Sequence, residues 1–290
     1  MTALSISAPA KLNFGIRILG RRDDGFHEID SLMVKLPELA DRLHFAAADR
    51  FSFSSSDPNI PDDDRNLVVK AVRAFESASG ANCQFQISLD KVVPVGAGLG
   101  GGSSDAAATL MALNHLHGDP LETGQLMDMA ATLGSDIPFF LTPGAARCTG
   151  RGERVESLTR SPALPVLLLK PEFSVATPDA YRRFADATEL PGISYAPQDL
   201  GEVILENDLE RPVFSKHRFL AELKHWLLHR KEVRGALMSG SGATVFAVLR
   251  QLSDAPAVAA AARVELDPAL WSWHGYTGDC VAVLQGTGAV

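Results

Sequence analysis

Cysteine is scarce in this chain. Cys83, Cys148 and Cys280 stand far apart in 290 residues, their number is odd and there is no CxxC pair. That argues against a disulfide framework or a structural zinc site and points to a reducing compartment. Long apolar runs are missing as well. "VLLL" at 166–169 and "AVAAAA" at 257–262 are the longest, and both are far too short to cross a bilayer. The opening "MTALSISAPAKL" has no continuous apolar stretch of the signal-peptide kind. A cytoplasmic location without a membrane partner is therefore expected. Positive charge is not in excess either. The formal net charge is −8, which argues against a general nucleic-acid or membrane-surface binder. A phosphorylated small molecule stays compatible with it, because a few cations and local dipoles suffice to hold one.

What is present is an ordinary globular composition, 46% hydrophobic and 21% charged, with length for one large domain or two modest ones. "SISAPAKLNFGIRIL" and "IDSLMVKL" predict strands joined by the turn "GRRDDG", followed by strands at "RLHFAAA" and "FSFSSS". "LVVKAVRAFESA" has helical spacing and "CQFQISLDKVV" alternates as a strand. "SSDAAATLMALNHLH" predicts a helix capped by Ser103, Ser104 or Asp105, and "ETGQLMDMAATLG" a second one. Beyond about residue 150 come a buried strand "LPVLLLKP", a capped helix "TPDAYRRFADA" and the amphipathic helix "HRFLAELKHWLLHR". A strand–turn–strand "GALMSGSGATVFAVL", a helix "PAVAAAARVEL" and a last strand "GDCVAVL" complete the chain. The order predicts an α+β fold of two lobes, 1–153 and 154–290.

"PVGAGLGGGSSDAAA", Pro94 to Ala108, packs five glycines between Gly96 and Gly102 just ahead of a helix. Each ordered glycine costs roughly 0.5–1 kcal/mol against alanine, so the loop must serve a close approach. "GAGLGG" fits G-x-G-x-x-G, but the strand that should follow a dinucleotide-binding helix is missing. Gly102 stands where a Walker loop needs lysine, and no protein-kinase landmark follows. A helix N-terminus with unpaired N–H groups nevertheless attracts an anion, and glycines let those groups wrap phosphate oxygens. The competing reading is a turn that only permits tight packing.

Three stretches together carry a resemblance: "PAKLNFGIRILGRRDDGFHEIDSL", the glycine loop and "SGSGATVFAV" at 239–248. The chain resembles the GHMP kinase superfamily, named for galactokinase, homoserine, mevalonate and phosphomevalonate kinases. The first stretch and "LGSDIPFFL" at 133–141 resemble one branch of it, which acts on a cytidine-diphosphate-linked methylerythritol in the non-mevalonate isoprenoid route. The resemblance runs from residue 8 to about 250 and thins after 150, except at "TPDAY" and "SGSGA".

For the fold, the resemblance implies an N-terminal lobe like ribosomal protein S5 domain 2 and a ferredoxin-like C-terminal lobe, with the active site between them. For the activity, it implies transfer of the ATP γ-phosphoryl group to an acceptor hydroxyl, with Mg2+, by a monomer or weak homodimer. Asp136 matches the catalytic aspartate, which takes the hydroxyl proton; a cap or turn aspartate before Pro138 is the plain alternative. Lys11 matches the catalytic lysine, against a solvated surface charge. Asn13, two residues on and so on the same strand face, matches a substrate contact, against a satisfied core asparagine. Phe26 and His27 match the cytosine site, with Phe26 where tyrosine is usual. Tyr181 is expected on the other face of the base, against simple helix packing, and Thr177 at the ribose or diphosphate.

Pro94, Val95, Gly96, Ala97, Gly98, Leu99, Gly100, Gly101, Gly102, Ser103 and Ser104 are expected to hold the ATP phosphates, with Ser104 as the Mg2+ contact. Ser239, Gly240, Ser241 and Gly242 are expected to line the site from the second lobe, against a mere hairpin turn. Asn66 and Lys70 are adenine candidates. Another GHMP enzyme, or a non-catalytic nucleotide-binding relative, is the alternative to the whole reading.

Overall fold

The computed structural model describes residues 3–280 and the backbone of 285–286. β1 (Ala3–Arg21) and β2 (His27–Ala47) form a long antiparallel pair. The two strands expected at "IDSLMVKL" and "RLHFAAA" are one. Ala10 pairs with Leu36 but Pro9 with Ala40, so Pro37, Glu38 and Leu39 bulge out of the ladder. Proline has no N–H to contribute, and a bulge accommodates it without ending the strand.

β3 (Ser52–Ser55), α1 (Leu67–Ser79), β4 (Phe85–Asp90), α2 (Gly101–Leu116), α3 (Thr123–Leu133), α4 (Ile137–Phe140), β5 (Ala146–Gly150) and β6 (Arg154–Ser157) follow. The second half contains β7 (Pro165–Lys170), α5 (Thr177–Arg183), β8 (Gln198–Asp199), β9 (Ile204–Asn207), α6 (Glu210–Lys216) and α7 (Arg218–Leu228). It continues with β10 (Val233–Met238), β11 (Val245–Leu249), α8 (Ala255–Glu265), β12 (Trp271–Tyr276) and β13 (Gln285–Gly286). Of the last strand expected, "GDCVAVL", residues 281–284 lie outside the described residues.

The elements build the expected α+β architecture around two sheets. One is nine-stranded, with β3-β4-β2-β1-β9-β8 in order, β5 and β6 attached through β2, and β13 on β1. The other is a four-stranded antiparallel sheet, β10-β11-β7-β12. The first sheet runs on through Ser157 and takes back β9, parallel to β1 at Gly15↔Glu206 and Ile16↔Asn207.

β1 is buried on both sides between Ala8 and Ile16. Ala10, Leu12 and Phe14 enter a core shared with the second sheet, where the rings of Phe14 and Phe246 lie 5.7 Å apart. Strand alternation then turns Lys11 and Asn13 to the opposite side. The apolar face of α1 (Val68, Val72, Phe75) and the small residues of α2 pack over the first sheet. Asn66 caps α1, its Oδ1 accepting the Val68 N–H at 2.7 Å, and Gly80 ends it at φ +70.

Candidate active site

Lys11 brings a buried ammonium to the end of the glycine loop. Its backbone N–H donates to Leu99 O at 2.9 Å, which ties β1 to the loop. Its Nζ donates to Asn13 Oδ1 and lies 3.5 Å from Asp136 Oδ2. Asn13 Nδ2 donates to Ser31 Oγ at 2.9 Å, and Ser31 donates to Gly15 O at 2.7 Å. That relay turns the Asn13 carbonyl toward the lysine. Asp136 precedes α4 but makes no capping bond with its side chain, which is 34% exposed. The cap reading of this aspartate therefore fails.

The glycine loop departs from expectation at the start of α2. The helix begins at Gly101 and its cap is Gly100, at φ +71, with no side-chain cap. Ser103, Ser104 and Asp105 are helical residues and cap nothing. No side chain covers the first-turn N–H groups, which are left for an anion. Several of the glycines also serve packing. A Cβ on Gly98 would come within 2.2 Å of Ser239 O, and one on Gly100 within 2.8 Å of Phe140 and 3.0 Å of the Lys11 stem. The two glycine loops thus lie backbone against backbone, joined by Ser239 Oγ to Gly98 O (3.0 Å) and Thr244 N to Ala97 O (3.1 Å).

Pro94 to Ser103 all line a cavity of about 430 Å³ together with Lys11, Asn13, Asn66, Asp136, Gly240 and Ser241. Ser104 does not line it. Successive helical residues point about 100° apart, and the Ser104 hydroxyl turns inward, buried and without a hydrogen-bond partner. The expected Mg2+ contact at Ser104 is corrected accordingly: Ser103 is the serine that reaches the cavity. Among the described residues no group of three or more His, Cys, Asp or Glu could hold a metal on its own.

Ser239 and Gly242 are also turned away from the lining. Ser239 is fully buried against Gly98, and Gly242 (φ +89) packs on Met238. Asn66 lines the cavity, but its side chain is taken up by Val68 N–H and Pro61 O, and Lys70 does not line it.

A second cavity of about 450 Å³ adjoins the first and shares Asp136, Thr177 and Tyr181 with it. The β1–β2 turn presents Phe26 to it. Gly25 (φ +86) makes the turn, Asp24 accepts the Phe26 N–H at 3.1 Å, and Phe26 stays 49% exposed. The Arg151 guanidinium lies 4.8 Å from the centre of the Phe26 ring. His27 and Tyr181 face each other at 5.3 Å and 30°, so the ring packed against Tyr181 is the imidazole. Burial and the charge of Arg21 hold His27 below the usual imidazole range, leaving it neutral at pH 7. Burial, then the charge of Asp136, push the Tyr181 phenol upward, so it remains a donor. α5 has no side-chain cap; Thr177 Oγ1 instead shares a 2.8 Å hydrogen bond with Ser241 Oγ.

Sequence reasoning missed Arg21, Arg151 and Arg182, which give the second cavity its positive charge. It also missed Asn207, whose Nδ2 donates to Met238 O (2.7 Å) and Gly240 O (2.8 Å) and so holds the second loop. Arg151 stands in a glycine turn and Asn207 ends a four-residue strand, contexts without a periodic signal.

The family model described as GHMP kinases N terminal domain matches residues 66–144, and GHMP kinases C terminal matches 195–266. A 4-diphosphocytidyl-2-C-methyl-D-erythritol kinase of Methylacidiphilum infernorum (isolate V4) is 41% identical over 83% of this chain and 84% of its own. One of Protochlamydia amoebophila (strain UWE25) is 40% identical over 86% and 85%. The crystal structure of a 4-(cytidine 5'-diphospho)-2C-methyl-D-erythritol kinase superposes with a TM-score of 0.75 at 34% identity, over 94% of this chain and 99% of that one.

Proposed function

Because the chain belongs to the GHMP kinases, and within them to the family of the 4-diphosphocytidyl-2-C-methyl-D-erythritol kinases, we propose that it moves the ATP γ-phosphoryl group to the 2-hydroxyl of that cytidine diphosphate substrate. The single observation that carries the site assignment is the Lys11–Asp136 pair, with Asp136 common to both cavities. ATP belongs in the first cavity, its phosphates on the amides of the glycine loop and the first turn of α2. The acceptor belongs in the second, its base on Phe26 and its diphosphate near the arginines. The acceptor hydroxyl then meets the γ-phosphoryl group at the carboxylate they share.

As the new P–O bond forms and the bond to the β-phosphate oxygen breaks, Asp136 takes the hydroxyl proton and ADP leaves with the electron pair. Lys11 offsets negative charge on the group in transit, and Asn13 keeps the ammonium aimed. Most of the rate enhancement is positioning and charge stabilisation, as phosphoryl transfer demands. Mg2+ fits the donors present. It takes oxygen ligands and commonly only one or two from protein, the rest from phosphates and water. The Ser103 hydroxyl supplies such an oxygen in the first cavity, and the ion, held there mainly by phosphate oxygens and water, would neutralise phosphate charge. The reading moves the lobe division from 153/154 to beyond Ser157, because β6 pairs with β5 in the first sheet, and keeps a cytoplasmic location; among the described residues no helix is long and apolar enough to cross a membrane.

Steady-state turnover with the cytidine diphosphate acceptor, mevalonate and homoserine tests the assignment. Turnover confined to the first is expected. Equal activity on mevalonate under matched conditions would overturn the acceptor assignment, and no γ-phosphoryl transfer to any of them would overturn the kinase reading.

A further inference from the structure

Beneath the glycine loop lies a cluster that the transfer chemistry does not use. Asp41, on β2, is fully buried, and Asp105 on α2 and the Lys91 side chain between them are nearly so. Lys91 Nζ donates to Asp41 Oδ2 and, at 3.0 Å, to Asp105 Oδ2. Asp41 Oδ1 accepts the backbone N–H groups of Val92 (2.6 Å) and Val93 (2.8 Å). Asp105 Oδ1 is buried with no partner.

We propose that this cluster sets the shape of the phosphate cradle, with Lys91 and Asp105 as positioning residues for the nucleotide, an inference that rests on the kinase reading above. The argument is one of placement. The loop enters at Val92–Val93, held by Asp41, and leaves through α2 at Asp105; a single ammonium joins the two anchors. The span between them is glycine-rich and has little conformational preference of its own, so its ends must define its path. The same ammonium lies directly under the first helical residue, where a Cβ on Gly101 would come within 2.8 Å of it. Lys91 and Asp105 both line the nucleotide cavity.

Stability alone does not account for such a cluster. Buried ion pairs typically contribute no more than well-packed apolar residues of similar volume would. Here two carboxylates also face one ammonium. Burial pushes the Asp105 carboxyl up, and Asp41 adds to this against the pull of Lys91.

The test is a comparison of Asp105→Asn with Asp105→Ala, both checked for folding by circular dichroism. Asparagine keeps the Lys91 tether and should leave the KM for ATP within about threefold of wild type. Alanine removes it and should raise the KM for ATP by about tenfold or more, with kcat and the acceptor KM within about threefold, the split that marks lost ground-state positioning. A wild-type KM for ATP in folded Asp105→Ala overturns the proposal, as does a loss shared equally by both substrates. Should the alanine variant not fold, hydrogen exchange on the unliganded wild type decides. The Val92 and Val93 amides should be protected like those of β4, and exchange as fast as Gly96 and Gly98 refutes the clamp. Absence of ATP turnover in the wild type would count against the kinase reading and leave the exchange result to judge the cluster.

Discussion

The Nζ of Lys11 and Oδ2 of Asp136 lie 3.5 Å apart, one from the middle of β1 and the other from the turn before α4. The lysine is sealed in while the carboxylate stays partly open to both cavities. Asp136→Asn keeps the shape and removes the proton acceptor. A general base contributes typically about 10²–10⁴-fold, and a fall in kcat of that size is expected, with both KM values within a few-fold. Lys11→Ala should also lower kcat, and the two losses should not add in a double-mutant cycle. Full additivity would mean that the pair does not act together.

Gly102 offers the clean test of phosphate approach. A Cβ there would meet only Leu67 Cδ1, at 3.7 Å, so Gly102→Val should fold normally by circular dichroism. Its affinity for a non-hydrolysable ATP analogue, read by calorimetry, should fall at least tenfold, or about 1.4 kcal/mol. Gly101→Val is a different experiment, because its side chain would collide with Lys91 and Val93. Overpacking of that kind costs typically about 1–3 kcal/mol, so a lowered Tm is expected there. Unchanged nucleotide affinity in folded Gly102→Val would move the phosphates elsewhere.

Phe26 is a large apolar ring left half in solvent with an arginine over it. Base–aromatic stacking is worth about 1–3 kcal/mol, so Phe26→Ala should weaken acceptor binding by about one to two orders of magnitude and leave ATP binding unchanged. Phe26→Tyr should be close to neutral. Normal acceptor affinity in Phe26→Ala would reduce the ring to a turn residue.

Asp30 joins three strands. Arg147 from β5 grips it with two hydrogen bonds of 2.8 Å, and Arg17 from β1 adds a third at 2.5 Å. The Arg147 bonds, with help from Arg17, hold its carboxyl down at about 2, from 3.8. A depressed acid favours the folded state above its unfolded pKa and loses that favour as pH falls through the folded one. Asp30 should therefore contribute stability above pH 4 that disappears between about 4 and 2. Denaturant titrations across that range should show a shallower acid decline for Asp30→Asn than for wild type. Parallel curves would remove Asp30 from the acid response.

Some of this site is legible in the sequence for simple reasons. Strand alternation alone puts Lys11 and Asn13 on one face, opposite Leu12 and Phe14. The glycine loop announces itself by composition. Which serine of "GGSSD" reaches the cavity is not legible, because that depends on where α2 begins. The start is decided at Gly100, in a left-handed conformation pressed against Lys11 and Phe140, a contact between distant parts of the chain. Local preference would choose serine or aspartate as the cap, and the long-range packing overrides it. β9 and Asn207 escape for another reason: four residues are too few to show a period.

The pairing of β1 with β9 has a consequence for how the molecule is made. Synthesis delivers the strand of Lys11 first, yet its edge at Gly15 and Ile16 meets its partner only when Glu206 and Asn207 exist. Asp208 then accepts the Ile18 N–H at 2.7 Å and fastens the join. Throughout the intervening stretch of translation that edge offers unpaired amides and carbonyls flanked by isoleucines, a template for pairing with another chain. A nascent chain stalled after the first sheet's early strands have emerged should be sticky, and its solubility should recover only once residue 208 has left the ribosome.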